Sequence, residues 1–221
     1  MGGTGDDLAA AVAAELGTRA LGAERLAGGD ANDAWAVHLA DGGAAGLSLD
    51  DRGGGAVTVF VKTQRRPAPH VFTREAEGLA WLAETGTVRV PRVLAVGDEP
   101  ERAPRFLVLE WIDPGRPAPD HDERLGRDLA ALHRAGGDRF GLATDNYVGA
   151  LDQANGTAPT WAEFYGARRI EPLVRRAVDG GRLPGGASRW ARAVVDRLPD
   201  LVGPPEPPHR LHGDLWAGNA M

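Results

Sequence analysis

The stretch Leu211-His212-Gly213-Asp214-Leu215-Trp216-Ala217-Gly218-Asn219 constrains this chain more than any other. It holds a histidine, a carboxylate and a carboxamide, with two glycines among them. A carboxylate can orient a hydroxyl and take its proton. A carboxamide five residues later, as Asn219 follows Asp214, can hold Mg²⁺ beside phosphates. The spacing suits a phosphoryl-transfer loop. The same letters also suit a plain turn, since Gly and Asp favour turns, so the upstream chain has to decide between them.

A length of 221 residues accommodates one large domain or two small lobes. A net charge of -6 argues against a nucleic-acid partner, which calls for a basic face. No apolar run approaches the ~20 residues of a membrane span, and the acidic, Gly-rich N-terminus lacks the features of a signal peptide. There is no cysteine, which excludes a disulfide framework, a thiolate metal site and a cysteine nucleophile. A cytoplasmic protein with no membrane partner is expected. One compositional fact is sharper: Lys62 is the only lysine among the 25 lysines and arginines.

Residues 6–16 read as a packing helix, with Leu8, Val12 and Leu16 four apart and Asp6 and Asp7 at its N-terminus. From Leu26 to Leu39 a strand, a Gly/Asp/Asn turn and a second strand follow. In that turn Gly28, Gly29, Asp30 and Asn32 would let the backbone approach phosphates and offer amides to an anion. A plain hairpin turn accounts for the same residues. After a glycine-rich connection over 41–55, the strand Ala56–Lys62 ends in the lone lysine. A lysine at a strand end is ordinarily solvated, but its uniqueness favours a function here. A helix over 70–84 follows, with an apolar face of Phe72, Ala76, Leu79, Ala80 and Leu82. A turn between strands followed by a strand ending in lysine is the order of a kinase N-terminal lobe, where the lysine contacts the α/β-phosphates and pairs with a helix glutamate. Glu75 is the expected partner of Lys62. Glu77 competes with it, because a rotation of the helix would exchange them.

Residues 90–97 and 105–112 read as two further strands, the second ending at the breaker cluster Asp113-Pro114-Gly115. That cluster suits an interlobe hinge, and topology puts adenine at the backbone of Glu110, Trp111 and Ile112. Residues 122–135 form a helix, 136–160 a long loop, 161–178 one continuous helix and 187–198 another.

On these residues the chain resembles the fructosamine-3-kinase (ketosamine-3-kinase) family, a branch of the protein-kinase-like superfamily near the aminoglycoside phosphotransferases and choline kinases. The segments that carry the resemblance are Gly28-Gly29-Asp30-Ala31-Asn32, Phe60-Val61-Lys62, Phe72-x-x-Glu75-Ala76-x-Gly78-Leu79 leading to Thr87-Val88-Arg89-Val90-Pro91, and His212-Gly213-Asp214-Leu215-Trp216-x-Gly218-Asn219. A further one, most particular to the family, runs from Asn146-Tyr147-Val148-Gly149 through Asn155 to Trp161-x-x-Phe164-Tyr165-x-x-Arg168.

The resemblance implies a two-lobed α+β protein-kinase-like fold. Residues 1–112 would form an N-terminal nucleotide-binding lobe, an antiparallel sheet with a helix, and 113–221 a partial, mostly helical catalytic lobe. It also implies ATP- and Mg²⁺-dependent phosphorylation of a ketosamine at the sugar 3-hydroxyl, which labilises the adduct and so repairs glycation. Asp214 would be the catalytic base, Lys62 the phosphate contact, Glu75 its partner and Asn219 a Mg²⁺ ligand. His212, Trp216, Asn146, Tyr147 and Trp161 would line the sugar pocket.

Some features depart from the family. Its second metal ligand, an aspartate after the catalytic loop, has no counterpart before Met221, so an incomplete member with little turnover of its own is expected. The cysteine that some members carry in the glycine loop is missing too. Two rivals remain. An aminoglycoside-type phosphotransferase would usually lack Trp216 and the 146–168 pattern. A non-catalytic nucleotide-binding or scaffolding domain is favoured only by the missing second metal ligand, since Lys62, Glu75, Asp214 and Asn219 are all present.

Overall fold

The computed structural model describes residues 3–27, 33–40, 56–64, 66–99, 101–113, 115–216 and 218–220. The chain is α+β and divides into two compact units, Met1–Asp122 with Leu215–Met221, and Glu123–Asp214.

In the first unit, helix α1 (Gly3–Glu15) precedes strands β1 (Ala20–Leu26), β2 (Asp33–Ala40) and β3 (Ala56–Thr63). Helix α2 (Val71–Ala83) and strands β4 (Val93–Gly97) and β5 (Phe106–Glu110) follow. The five strands form one antiparallel sheet in the order β1-β2-β3-β5-β4. Alternation along a strand sends successive side chains to opposite faces. Val57, Val59 and Val61 of β3 and Phe106 and Val108 of β5 therefore share one face, where Leu8, Ala9, Val12, Ala13 and Leu16 of α1 cover them. The opposite face carries Phe60, Leu107 and Leu109 and is covered by Phe72, Ala76 and Leu79 of α2. A helix on each face explains why β3 reads as an almost continuous apolar run rather than an alternating one.

The second unit holds most of helix α3 (His121–Arg134), then a hairpin of β6 (Asn146–Val148) and β7 (Leu151–Gln153). The segment expected to be loop from 136 to 160 thus contains a small sheet. Strands of three residues are too short to leave a periodic signal. The continuous helix expected over 161–178 is also interrupted. It consists of α4 (Trp161–Tyr165), a π-helical turn (Gly166–Ile170) and α5 (Glu171–Asp179). Pro172 opens α5, and its missing N–H removes one rung of the i→i−4 ladder where the wider turn sits. The segment expected as one helix over 187–198 is α6 (Ala187–Val195) followed by the short α7 (Leu198–Leu201).

Phe106 is fully buried between the sheet and α1, whereas Leu21 on β1 is 47% exposed. Phe106→Ala is expected to cost about 3–5 kcal/mol, and Leu21→Ala about 0.5 kcal/mol or less. Denaturant unfolding of the two variants measures the contrast.

Candidate active site

Lys62 shares the α2 face of the sheet with Phe60, because the two are two residues apart on β3. It lies between Ala34 of β2 and Leu107 of β5. From α2, Glu75 reaches the same place, and the Lys62 ammonium donates to Glu75 Oε1. The side chains are 28% and 29% exposed, so the pair is held by the fold yet open to a ligand. Glu77 is engaged elsewhere: Arg74 Nη1 donates to its Oε2 at 2.7 Å on the same helix. The choice the sequence left open between the two glutamates is made in favour of Glu75. The expected phosphate turn, with Gly28, Gly29, Asp30 and Asn32, lies outside the described residues.

At the expected hinge the strand stops at Glu110, two residues before the expected boundary. The Glu110 amide donates to the Arg92 carbonyl at 2.9 Å and is committed to the sheet edge. Trp111 and Ile112 lie just beyond the strand, and Trp111 Nε1 donates to Asp113 Oδ1 at 2.8 Å. The Glu110 carboxylate, only 11% exposed, receives Arg92 Nε at 3.0 Å and Arg89 Nη2 at 3.2 Å. Burial pushes this carboxyl up, but hydrogen bonds from Arg92 and Arg89 and the Arg89 charge outweigh it and hold it below the usual carboxylate range. Neither arginine was given a role from the sequence, although Arg89 lies in a segment that carries the resemblance. In a chain whose basic residues are nearly all arginine, arginine itself is no signal.

In the second unit the segment 146–169 is organised around Asn155, which is 3% exposed. Its amide donates to Asp145 Oδ1 at 2.7 Å, and its Nδ2 donates to the Thr144 carbonyl at 3.1 Å and Asn146 Oδ1 at 2.7 Å. Its Oδ1 accepts from Arg169 Nη2 at 2.6 Å. Asn146 Oδ1 also accepts from Gln153 Nε2 at 3.0 Å, so this oxygen is committed to the hairpin. Tyr147 is half-buried opposite Asp152. Trp161 stacks on Tyr165, ring centroids 5.0 Å apart, and meets Phe164 and Phe140 at 5.8 and 6.0 Å. The π-helical turn aims two consecutive arginines back at this loop. Arg168 Nε donates to the Gly156 carbonyl at 3.2 Å, and Arg169 Nη1 to the Ala154 carbonyl at 2.6 Å. Arg169 also lies over the Phe164 ring at 4.6 Å. Burial lowers the Arg169 pKa from its ordinary value, and Tyr165 opposes that shift. Arg169 was not recognised from the sequence, and its role depends on a wide turn that no residue pattern announced.

Of the terminal motif, residues 212–214 belong to the second unit and 215–220 to the first. The Asp214 amide donates to His212 Nδ1 at 3.2 Å, and both residues are exposed. Gly213 between them has φ +83°, a left-handed conformation that an arginine would adopt only under strain. Farther on, the Asn219 amide donates to the Trp216 carbonyl at 2.8 Å. The Trp216 indole is 63% exposed and folds over Gly218, where a Cβ would lie 2.3 Å from a ring carbon. Among the described residues no three His, Cys, Asp or Glu side chains converge as a metal cluster. Asn219 is exposed and offers an oxygen donor of the kind Mg²⁺ accepts alongside nucleotide phosphates.

Two variants probe these contacts. The folded-state pKa of Glu110 is depressed, so its ion pairs stabilise the protein above the unfolded value of about 4.3 and lose effect as pH falls through the folded value. Glu110→Gln is expected to be less stable than wild type at about pH 7, with the difference shrinking toward about pH 3 in denaturant titrations. Asn155→Ala strips Arg169 and Asn146 of partners in a buried site. It is expected to cost at least about 1–3 kcal/mol in the same measurement.

The sequence matches the fructosamine kinase family over residues 7–221. It is 40% identical over 165 residues to a probable ketoamine kinase of Synechocystis sp., covering 72% of this chain and 53% of the relative. It is 35% identical over 166 residues to a chloroplastic protein-ribulosamine 3-kinase of Arabidopsis thaliana, covering 74% and 50%. The chain thus spans about half the length of these relatives. A crystal structure from Thermobifida fusca, under the name of a fructosamine-3-kinase, superposes with a TM-score of 0.77 at 37% identity, covering 97% of this chain and 68% of that one. By sequence along nearly its whole length, and by the fold that carries Lys62 and Glu75, the chain belongs to the fructosamine kinase family.

Proposed function

We propose that the protein is a kinase that transfers the γ-phosphoryl of ATP to the 3-hydroxyl of a ketosamine, a fructosamine or ribulosamine adduct, and so promotes deglycation. The observation that carries this reading is the Lys62–Glu75 ion pair, standing between the central strand and the helix packed on it. Phosphoryl transfer is catalysed mainly by positioning and by neutralising charge. The Lys62 ammonium meets the α/β-phosphates, and Glu75 keeps it aimed. Trp111 and Ile112 offer backbone groups to adenine, while the Glu110 amide is already used by the sheet.

Asp214 is the proposed base. The His212–Asp214 hydrogen bond and the left-handed Gly213 leave its carboxylate on an exposed bend, from which it can accept the hydroxyl proton. Asn219 would hold Mg²⁺, and its exposed carboxamide is chemically suited to do so. When bound, the ion would neutralise charge on the β- and γ-phosphates. Trp216 and Trp161 each expose aromatic surface of the kind a sugar ring packs on. With its oxygen tied into the hairpin, Asn146 contributes by shaping the segment that carries Tyr147. The name of the Arabidopsis relative, a protein-ribulosamine 3-kinase, supports adducts borne on protein as well as free ones. Among the described residues no helix is long and apolar enough to cross a membrane, and the cytoplasm is the proposed compartment.

The test is Mg²⁺-dependent ATP consumption with a fructosamine or ribulosamine, by this chain and by a C-terminally extended form, with the phosphorylated position read by NMR. Asp214→Asn is expected to lower kcat by about 10²–10⁴-fold. Phosphorylation of an aminoglycoside but not of either ketosamine would sink the substrate assignment.

A further inference from the structure

Asp98 plays no part in the chemistry above, yet it is 3% exposed, one of two buried polar side chains among the described residues. Its Oδ2 accepts the Thr73 amide at 3.0 Å and the Thr73 hydroxyl at 3.2 Å. Thr73 is the third residue of α2, a position whose amide is ordinarily satisfied by the side chain of the N-cap residue. Here the N-cap is His70, in a left-handed conformation with φ 58° and no side-chain cap of its own. The cap comes instead from the connection that follows β4.

Arg105, at the far end of that connection, completes a clamp. Its Nη1 stands 3.5 Å from Asp98 Oδ1, and its guanidinium donates to the carbonyls of Pro67 and Ala68, on the approach to α2. Its own carbonyl accepts the Thr63 hydroxyl at 2.7 Å. Thr63 follows Lys62 directly, and Thr73 precedes Glu75 by two residues. The clamp therefore grips the chain beside each member of the ion pair.

Helical geometry makes the grip selective. Thr73 and Glu75 are about 200° apart around the axis. They flank the stripe of Phe72, Ala76 and Leu79 that α2 lays on the sheet. Holding Thr73 at one edge of that stripe sets the rotation that points Glu75, at the other edge, toward Lys62. We infer that Asp98 and Arg105 are positioning residues for the Lys62–Glu75 pair, fixing the rotation of α2 against β3. The consequence for nucleotide use rests on the function proposed above, but the geometric claim does not.

Because Lys62 is the only lysine, ¹³Cε-lysine labelling of the full chain gives a single lysine side-chain NMR resonance that reports on the pair. Glu75→Gln marks where that resonance falls when the carboxylate is absent. In Asp98→Ala the resonance is expected to move most of the way to that position, and KM for ATP or kcat to worsen by up to about a hundredfold. Asp98→Asn keeps an acceptor for Thr73 but no charge for Arg105, and is expected to fall between wild type and Asp98→Ala. Should Asp98→Ala fail to fold by circular dichroism, Asp98→Asn and Arg105→Gln carry the test. A resonance unmoved in folded Asp98 and Arg105 variants overturns the inference. A moved resonance in folded variants supports the clamp whatever the substrate, and phosphorylation of an aminoglycoside instead of a ketosamine removes the proposed substrate alone.

Discussion

The parity of β3 is the constraint on which the first unit depends. Val57, Val59 and Val61 must face α1, and Phe60 and Lys62 must face α2. A slip of one residue would drive the ammonium into the apolar layer beneath α1 and turn three valines toward α2. Burying an unpaired charge is far costlier than any rearrangement of surface groups. The two apolar faces therefore hold the register, and the position of Lys62 follows from it. The reverse dependence is weak. A pair as exposed as Lys62–Glu75 adds little to stability, so the fold supports the pair far more than the pair supports the fold.

The two units solve a similar problem with similar means. Each has to hold an irregular segment in place, and each does so with a short, buried polar side chain that satisfies atoms distant in sequence. In the first unit Asp98 takes the amide and hydroxyl of Thr73, 25 residues away. In the second, Asn155 joins residues 144–146 to Arg169. A polar group taken out of water is tolerable only when its hydrogen bonds are made. This gives such anchors directional force: a displaced loop leaves a buried donor or acceptor unmet. Apolar packing can define which faces meet, but it tolerates small rotations that these anchors do not.

What the sequence disclosed follows the same division. Elements buried on a regular stripe were legible, because Leu8, Val12 and Leu16 or Val57, Val59 and Val61 repeat at the spacing of a helix or strand. The lysine and the His212–Asn219 motif were legible as chemistry, one by its rarity and the other by its spacing. The strands β6 and β7 were not, because three residues are too few to show a period. Nor was the π-helical turn, which leaves the apolar spacing of a helix in place and is set where Pro172 removes a backbone donor. Glu75 was the expected partner, but Glu77 could not be dismissed by sequence, since the rotation of α2 rests in part on a carboxylate beyond β4. Asp98 and Arg105 sit in a stretch with nothing to mark them, and only burial distinguishes them from the many exposed charges of the chain.

The choice of lysine at position 62 bears on how that pair works. Among the described residues, every other lysine or arginine ion pair uses a guanidinium, including those to Asp98 and Glu110. Guanidinium suits those places, because a rigid fork can bridge a carboxylate and backbone carbonyls at once, as Arg105 does. A group that must contact Glu75 and also turn to a ligand's phosphate oxygens has a different requirement. An ammonium is a compact charge whose three donors share one tetrahedral centre, so it can serve two partners from one position. An arginine at 62 would extend farther from β3 and spread its charge across a plane. The carboxylate on α2 would then have to retreat, and Thr73 and Asp98 hold that helix where it is. The lone ammonium and the fixed helix are thus matched to one another, and this match gives Lys62 its place in a chain otherwise supplied with arginine.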